Sequence, residues 1–135
     1  MTDFNRVRFL TWDQRKDRQC GFTVGKNGGI WRSPEEYNYE TETEKVDVYS
    51  LGNVLYFMLT REEPWYDVQS SKEVYDLVKK GNRPDIPQEI QQSDHPFDRY
   101  MIQALDMCFT KKKGDRPSAL EVANKLLEGI KELPG

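Results

Sequence analysis

One stretch of the sequence, Lys45 to Thr60, constrains the fold more than any other. Its apolar side chains are Val46, Val48, Leu51, Val54, Leu55, Phe57, Met58 and Leu59. On a helix these positions surround most of the circumference, so the pattern predicts a helix that is buried on nearly every side. A chain of 135 residues with 36% hydrophobic content is large enough for one compact domain. We therefore expect a mainly α-helical bundle around a buried central helix.

Capping signals mark the starts of two further helices. In Ser33-Pro34-Glu35 a short polar residue precedes a proline and an acid, which is the order favoured at a helix N-terminus. A helix is therefore predicted to begin near Pro34. The string Ser70-Ser71-Lys72-Glu73 forms a capping box and predicts a short amphipathic helix that Gly81 ends.

Two more helices are predicted in the last third of the chain. The spacing of Phe97, Met101, Leu105 and Cys108 predicts a helix that ends at the basic run Lys111–Gly114. A second capping box, Ser118 with Glu121, opens the last helix. The apolar face predicted for that helix consists of Val122, Ala123, Leu126, Leu127 and Ile130.

The remaining segments are predicted to be loops. Residues 1–33 show little periodicity and hold several glycines near their end, which indicates a long ordered loop. Ordered loops of that length are usually functional. Glu62 to Gln69 is predicted to be a turn followed by an anchoring pair of aromatics, Trp65 and Tyr66. Asn82 to Pro96 is predicted to be a surface loop.

Charge and cysteine usage exclude several classes of protein. The net charge of −3 provides no basic field for nucleic acid, and the short basic clusters Arg15–Arg18 and Lys111–Lys113 read as solvated loops. Cys20 and Cys108 lie far apart and the chain has one histidine, so neither a disulfide framework nor a zinc site is supported. The longest apolar run is too short to span a bilayer. We expect an intracellular, cytoplasmic location without nucleic-acid partners or a membrane segment.

Three separated motifs, in this order, resemble the carboxyl-terminal lobe of a eukaryotic-type protein kinase. They are Ser33-Pro34-Glu35, Asp47-Val48-Tyr49-Ser50-Leu51-Gly52 and Gly114-Asp115-Arg116-Pro117. In that family the corresponding strings end the activation segment, open the buried F helix and precede the last helix. The resemblance covers almost the whole chain, but only about half of a kinase domain. It implies an activation segment over 1–35 and a helical lobe over 36–135.

The resemblance implies structural roles for four residues. Glu35 and Arg116 are expected to form a buried, bidentate ion pair that ties the end of the loop to the base of the lobe. Asp47 is expected to accept backbone hydrogen bonds that hold the catalytic loop; otherwise it is an acid that suits the helix dipole. Gly52 completes the F-helix motif.

The amino terminus resembles the motif Asp-Phe-Gly, which makes Asp3 the candidate ligand of Mg²⁺ in the complete domain. Asn5 stands where the family has glycine, and asparagine tolerates the positive φ that such a turn needs. No Gly-rich loop, Val-Ala-x-Lys or His-Arg-Asp string occurs in the chain. The ATP-binding lobe and catalytic loop are expected to precede Asp3, with Met1 internal to a longer protein. No catalytic residue is therefore assigned here, and the isolated chain is expected to bind no ATP or Mg²⁺ and to be inactive.

The segment Gly28, Gly29, Ile30 and Trp31 is expected to receive the protein substrate. Glycines let a bound peptide approach the backbone closely, and Trp31 would anchor the loop. Gly28 replaces a threonine common in serine/threonine kinases, and Trp31 resembles tyrosine-kinase-like sequences, so the acceptor type stays open. Thr11 and Thr23 could be phosphorylated, but ordinary loop hydroxyls are the simpler reading.

Besides a working kinase, the sequence leaves two alternative interpretations of the chain open. A pseudokinase or regulatory fragment would bind partners through the lobe surface, particularly the helix at Ser71 to Lys80. An unrelated helical module would not need the Glu35–Arg116 pair. In a working kinase, the partners would be a protein substrate and the amino-terminal lobe of the same chain.

Overall fold

Six helices and one two-stranded hairpin make up residues 7–134, the part of the chain that a computed structural model describes. In chain order the elements are β1 (Trp12–Asp13), β2 (Arg18–Gln19), α1 (Pro34–Tyr37), α2 (Lys45–Thr60), α3 (Ser71–Lys80), α4 (Gln88–Gln91), α5 (Pro96–Cys108) and α6 (Ala119–Glu132). The prediction of a mainly helical fold is confirmed.

The predicted caps form at the starts of three helices. At α1, the backbone N–H and the hydroxyl of Ser33 both donate to Glu36 Oε2, at 2.8 and 2.9 Å. At α3, Ser70 Oγ accepts from the amide of Glu73, and Gly81 ends the helix with a φ of 94°. At α6, the Ser118 amide donates to the Glu121 carboxylate at 2.7 Å. Local sequence therefore fixes where these helices begin.

Helix α2 is the centre of the core, but it is not buried on every side. Helix α5 packs on α2 and also on α6. The burial prediction is wrong for Val54, Phe57 and Met58, which are 46%, 43% and 50% exposed. The reason is that the packed elements of the described chain cover one side of α2 and leave these three apolar side chains uncovered.

Gly52 lies at the contact between α2 and the end of α5. A Cβ at this position would stand 2.8 Å from Cys108 Cβ and 3.0 Å from the ring of Phe109. Contacts that close essentially never occur between real side chains, so the helices pack at this distance only because position 52 has none.

Two further burial predictions are wrong in part. In α6, Val122 is buried, whereas Ala123, Leu127 and Ile130 of the predicted apolar face are exposed, because α6 turns a different stripe toward α5. Of the aromatic pair after Pro64, Trp65 is buried but Tyr66 is exposed, so a single ring anchors this turn.

The structure contains two elements that the sequence pattern did not predict. The first is the hairpin within the amino-terminal loop, where Asp13 Oδ1 accepts from the amides of Arg15 and Lys16 at 3.0 and 3.2 Å. The second is the single-turn helix α4. Helix α5 also ends at Cys108, before the predicted basic run.

The sequence indicated that the basic run Lys111–Lys113 only faces solvent, but two of its lysines also bind backbone carbonyls. Lys111 Nζ donates to the Lys80 carbonyl, the last of α3, at 3.2 Å, and Lys113 Nζ donates to the Thr41 carbonyl. A lysine at a helix C-terminus satisfies a free carbonyl and suits the helix dipole. The run therefore connects three parts of the fold.

Within residues 7–134, no helix combines the length and the apolar character needed to cross a bilayer. Cys20 and Cys108 are both free thiols, and Cys108 is fully buried.

Candidate functional site

Arg116 is the centre of a buried polar cluster that joins α1, the start of α2 and the loop before α6. Nη1 donates to Glu35 Oε1 and to the Lys45 carbonyl, both at 2.7 Å. Nη2 donates to Glu35 Oε2 at 3.0 Å and to the Lys111 carbonyl at 3.2 Å, and Nε donates to the Thr110 carbonyl at 2.9 Å. All five guanidinium N–H groups are thereby used.

The ion pair between Glu35 and Arg116 is excluded from water. The side chains are 3% and 0% exposed, and the two parallel hydrogen bonds form the bidentate geometry that arginine favours. The guanidinium also lies 5.0 Å from the ring centroid of Tyr49, which is buried beneath it. The sequence-predicted pair is therefore present as a contact across 81 positions of the chain.

Lys45 and Arg116 hold each other through their backbones. Lys45 Nζ donates to the Arg116 carbonyl at 2.8 Å, while the Arg116 side chain donates to the Lys45 carbonyl. A tight turn presents Arg116 for this exchange, because its amide bonds to the Lys112 carbonyl at 3.0 Å. The start of α2 and the loop before α6 are consequently fixed to each other as well as to Glu35.

The loop Gly28–Trp31 is held through its carbonyl groups. The bonds are Arg32 Nε to the Gly28 carbonyl at 3.2 Å, Tyr37 Oη to the Gly29 carbonyl at 2.6 Å, and Asn53 Nδ2 to the Trp31 carbonyl at 3.2 Å. Asn53 is a buried residue of α2 and Tyr37 a buried residue of α1. Three of the four carbonyls of this loop are therefore fixed by side chains.

The opposite side of the same loop is open. An added Cβ at Gly28 or Gly29 would meet no atom within 4 Å, and Gly29 has a φ of 87°, which favours glycine. Ile30 packs against the core and Trp31 is half-buried. The loop thus combines a fixed backbone with free space beside its glycines, which suits an extended peptide.

Tyr37 connects this loop to α3. Its ring lies 4.4 Å, centroid to centroid, from the ring of Tyr75 on α3, with an interplanar angle of 31°. Burial raises the pKa of Tyr37 to about 12, so its hydroxyl stays protonated and donates to Gly29 at neutral pH. The loop, α1 and α3 are thereby coupled through one side chain.

A cavity of about 520 Å³ opens between the amino-terminal segment and the start of α2. Its lining includes Arg8, Arg32, Glu36, Glu44 and Asp47. Asp47 is an exposed residue at this cavity, and partial desolvation, followed by the charge of Glu44, raises the pKa of its carboxyl. Within residues 7–134 its carboxylate accepts no hydrogen bond, so any backbone donor to it belongs to another part of the protein.

The structure brings some of the predicted site residues together and leaves others apart. Glu35 meets Arg116, and Gly52 lies at the contact of α2 with α5. Asp47 faces the cavity instead of the ion pair. Asp3 lies outside the described residues. Across residues 7–134, no group of three or more His, Cys, Asp or Glu side chains is placed to hold a metal ion.

Sequence reasoning missed the residues that hold the loop. Asn53, Tyr37 and Lys45 act through long-range contacts to carbonyls, which leave no trace in local periodicity. One signal was available for Asn53: it is a polar residue among apolar neighbours in the helix, and a buried amide needs a partner.

Comparison with known proteins finds similarity to protein kinases. A profile described as the protein kinase domain matches residues 1–127. The chain is 32% identical over 92 residues, 68% of its length, to the RGS domain-containing serine/threonine-protein kinase A of Dictyostelium discoideum. It is 33% identical over 100 residues, 74% of its length, to the probable serine/threonine-protein kinase drkA of the same organism. These matches cover 8% and 14% of the two relatives, so the chain spans a small part of such proteins.

A mammalian relative is similar over more of the chain. Mitogen-activated protein kinase kinase kinase 7 of Bos taurus is 27% identical over 120 residues, 88% of the chain, and the match covers 20% of that protein.

Proposed function

This chain belongs to the protein kinase domain family, and we propose that it forms the substrate-binding half of an enzyme that transfers a phosphoryl group from ATP to serine or threonine in proteins. Residues 1–35 would be the activation segment and residues 36–135 the helical lobe. Serine and threonine are preferred as acceptors because the relatives named above include serine/threonine kinases.

The observation that carries the proposal is the fixation of Gly28–Trp31. Its carbonyls are held by Arg32, Tyr37 and Asn53, while the space beside its glycines is free. An extended acceptor peptide laid along this backbone would meet a surface that needs no reordering when it binds. Preorganisation of this kind lowers the entropic cost of placing the acceptor hydroxyl for in-line transfer.

The ion pair of Glu35 and Arg116 supports the loop from behind. Glu35 lies in α1, which directly follows the loop and also supplies Tyr37. Because the guanidinium fixes α1 to the base of the lobe, it also fixes the donor to the Gly29 carbonyl. Arg116 would be a positioning residue, with no contact to the reacting atoms.

Kinases of this family use ATP and Mg²⁺, and the metal ion neutralises charge on the phosphates during transfer. The residue of this chain that we propose as a metal ligand in the complete domain is Asp3. The cavity beside Asp47 would receive the catalytic loop, whose backbone amides would supply the hydrogen bonds that the Asp47 carboxylate lacks within residues 7–134. Both assignments require the part of the domain that would precede this chain.

The uncovered apolar side chains of α2 fit the same proposal. Val54, Phe57 and Met58 form an exposed set on the helix that otherwise fills the core. Apolar side chains grouped in this way usually contact another part of a protein. The preceding lobe of the same protein would cover them. Since ATP and a reducing environment belong to the cell interior, and both cysteines are free thiols, the enzyme would act inside the cell.

The proposal is tested by the kinetics of the parent kinase domain with Asn53→Ala. The variant removes the donor to the Trp31 carbonyl but leaves Arg116 and Glu35 in place. We expect KM for a peptide acceptor to rise about tenfold with KM for ATP unchanged, because a hydrogen bond in this setting contributes about 1–2 kcal/mol. Asn124→Ala, on the exposed surface of α6, is the matched control.

Three outcomes would contradict the proposal. A rise in KM for ATP of the same size would place Asn53 in another role. A parent domain that transfers no phosphate to any protein acceptor would indicate the pseudokinase alternative. Transfer by the isolated 135-residue chain with Mg-ATP would show that the preceding lobe is not needed.

A further inference from the structure

The amino-terminal hairpin carries the composition of a protein-binding surface. We define the hairpin surface as the side chains of Phe9, Trp12, Arg15, Lys16 and Arg18. Phe9 is 95% exposed and Trp12 is 58% exposed, and the three basic residues are exposed as well. Trp and Arg are the residue types most enriched where partners contribute most of their binding energy. Among residues 7–134, no element covers these two aromatics, of which Trp12 lies on strand β1 and Phe9 lies three residues before it.

The register of the hairpin places aromatic and basic groups around one small element. Trp12 lies opposite Gln19 and Asp13 lies opposite Arg18, so Trp12 and Arg18 point to different faces, with Arg15 and Lys16 in the connecting turn. None of the three basic side chains has an acidic partner within 4.0 Å among residues 7–134. Two acids lie on the same hairpin: Asp13 directs one oxygen to the amides of Arg15 and Lys16, and Asp17 stands exposed in the turn.

The charge of the whole chain is distributed unevenly around this surface. Residues 7–32 carry six basic and two acidic side chains, a net charge of +4. Residues 33–134 carry thirteen basic and twenty acidic side chains, a net charge of −7. The hairpin itself, residues 12–19, carries three basic and two acidic side chains, a net charge of +1. A positive amino-terminal segment on a negative body attracts a short acidic segment, whereas a long polyanion such as RNA would run onto a repelling surface.

The segment that follows the hairpin is fixed to the residues that precede α2. Beyond β2, the backbone of Phe22 pairs with that of Glu42 through bonds of 3.0 and 2.6 Å. Phe22 and Leu10, on either side of the hairpin, line the same cavity as Arg32, which holds the Gly28 carbonyl. The residues that flank the hairpin therefore share a cavity with a side chain that holds the candidate substrate loop.

We infer that the hairpin surface binds an acidic segment of the protein substrate that also presents an apolar side chain to Trp12. The identification of the partner as the protein substrate rests on the proposed function, whereas the binding of an acidic segment does not. Acidic side chains would meet Arg15, Lys16 and Arg18, and the apolar residue would cover an exposed ring. Electrostatic attraction would select the partner and ring burial would retain it.

The test is binding of labelled peptides to the 135-residue chain, followed by fluorescence anisotropy without ATP. The probe is a twelve-residue peptide with four glutamates and one leucine, and its reference has glutamine at the four positions. In the Arg15→Gln, Lys16→Gln, Arg18→Gln variant we expect affinity for the acidic peptide to fall about tenfold in 20 mM salt, with most of the difference lost in 0.5 M salt. Trp12→Ala is expected to weaken binding about fivefold at both salt concentrations, because ring burial is not screened.

Matched control variants test whether the peptide binds at the hairpin surface and not elsewhere on the chain. Replacing Lys80, Lys112 and Lys131 by glutamine removes the same charge from exposed positions elsewhere, and Leu120→Ala removes an exposed apolar side chain from α6. These controls should leave affinity within twofold.

Four results would overturn the inference: equal affinity for the two peptides, equal loss in the control variant, no effect of Trp12→Ala, or an RNA oligomer that binds the hairpin as tightly as the acidic peptide. The assay needs no catalysis, so an inactive parent would refute the proposed function and leave this binding intact. An active parent that phosphorylates acidic and neutral peptides equally well would refute this inference alone.

Discussion

Replacing Arg116 by alanine should destabilise this chain strongly. The guanidinium forms five hydrogen bonds, two to Glu35 and three to backbone carbonyls, and it is shielded from water. Alanine would leave the Glu35 carboxylate buried without a counter-charge and three carbonyls without their donor. It would also leave an empty space beneath the ring of Tyr49.

The magnitude follows from the groups left behind. Breaking a buried ion pair by removing one partner costs about 3–5 kcal/mol. Each unsatisfied buried carbonyl would add about 1–3 kcal/mol if water could not reach it, although such terms are not additive. The sum approaches the whole free energy of unfolding of an average domain, about 5–15 kcal/mol. We therefore expect a loss of at least 3 kcal/mol, on the order of the single broken pair.

The assay is urea unfolding of the 135-residue chain followed by circular dichroism at 222 nm. Arg99→Ala is the matched control, because Arg99 pairs with Glu132 on the surface, where both side chains are about half exposed. Exposed pairs contribute about 0–1 kcal/mol, so the control should shift the midpoint little. A double-mutant cycle with Glu35→Ala separates the pair from the carbonyl bonds, and the double variant should cost less than the two single costs together.

A loss below about 1 kcal/mol for Arg116→Ala would refute this reasoning, because it would place the pair in the range of surface ion pairs. Equal effects of Arg116→Ala and Arg99→Ala would refute it as well. If the variant does not fold at all, Arg116→Lys still tests the claim. Lysine keeps the charge but has only three donors and cannot bond bidentately, so it should fold and remain destabilised.

Three further predictions follow from single features of the fold. Gly52→Ala should destabilise by about 1–3 kcal/mol in urea unfolding, since its Cβ would press on Cys108, whereas Gly28→Ala, with free space around it, should be nearly neutral. Stability should fall between pH 10 and 12, because the pKa of Tyr37 is raised to about 12 and the folded state keeps a proton that the unfolded state loses near 10. Tyr37→Phe should lower the slope of the unfolding free energy against pH by about one proton, and an unchanged slope would contradict the assignment. At pH 8 a thiol reagent should label Cys20 and spare Cys108, whose pKa burial raises to about 12, until urea unfolds the chain; equal labelling of both in the folded state would be inconsistent with the packing.

The sequence predicted those parts of the fold that depend on neighbours in the chain. The starts of α1, α3 and α6 follow from capping residues that bond within three positions. The side of α2 that faces solvent could not be predicted in the same way. Its apolar residues surround the helix, so the pattern leaves the choice of uncovered face to whichever elements pack on it.

The residues of the candidate site that lie in a family motif were predicted from the sequence. The residues that act only through contacts in the folded chain were missed. Glu35 and Arg116 stand in recognisable strings, so their contact could be expected across most of the chain. Asn53 and Tyr37 hold the substrate loop through bonds to carbonyls, and any residue can supply a carbonyl. Sequence spacing carries no record of such bonds, and only the folded backbone identifies them.

The long separation between Glu35 and Arg116 has a consequence for synthesis on the ribosome. The partners are 81 positions apart, so at roughly 5–20 residues per second the carboxylate waits about 4–16 seconds before its guanidinium is made. During that interval the glycine loop has been synthesised but lacks its anchor. A nascent chain that stops short of Arg116 would therefore expose an unfastened loop, and chaperones or proteases would meet it before any substrate does.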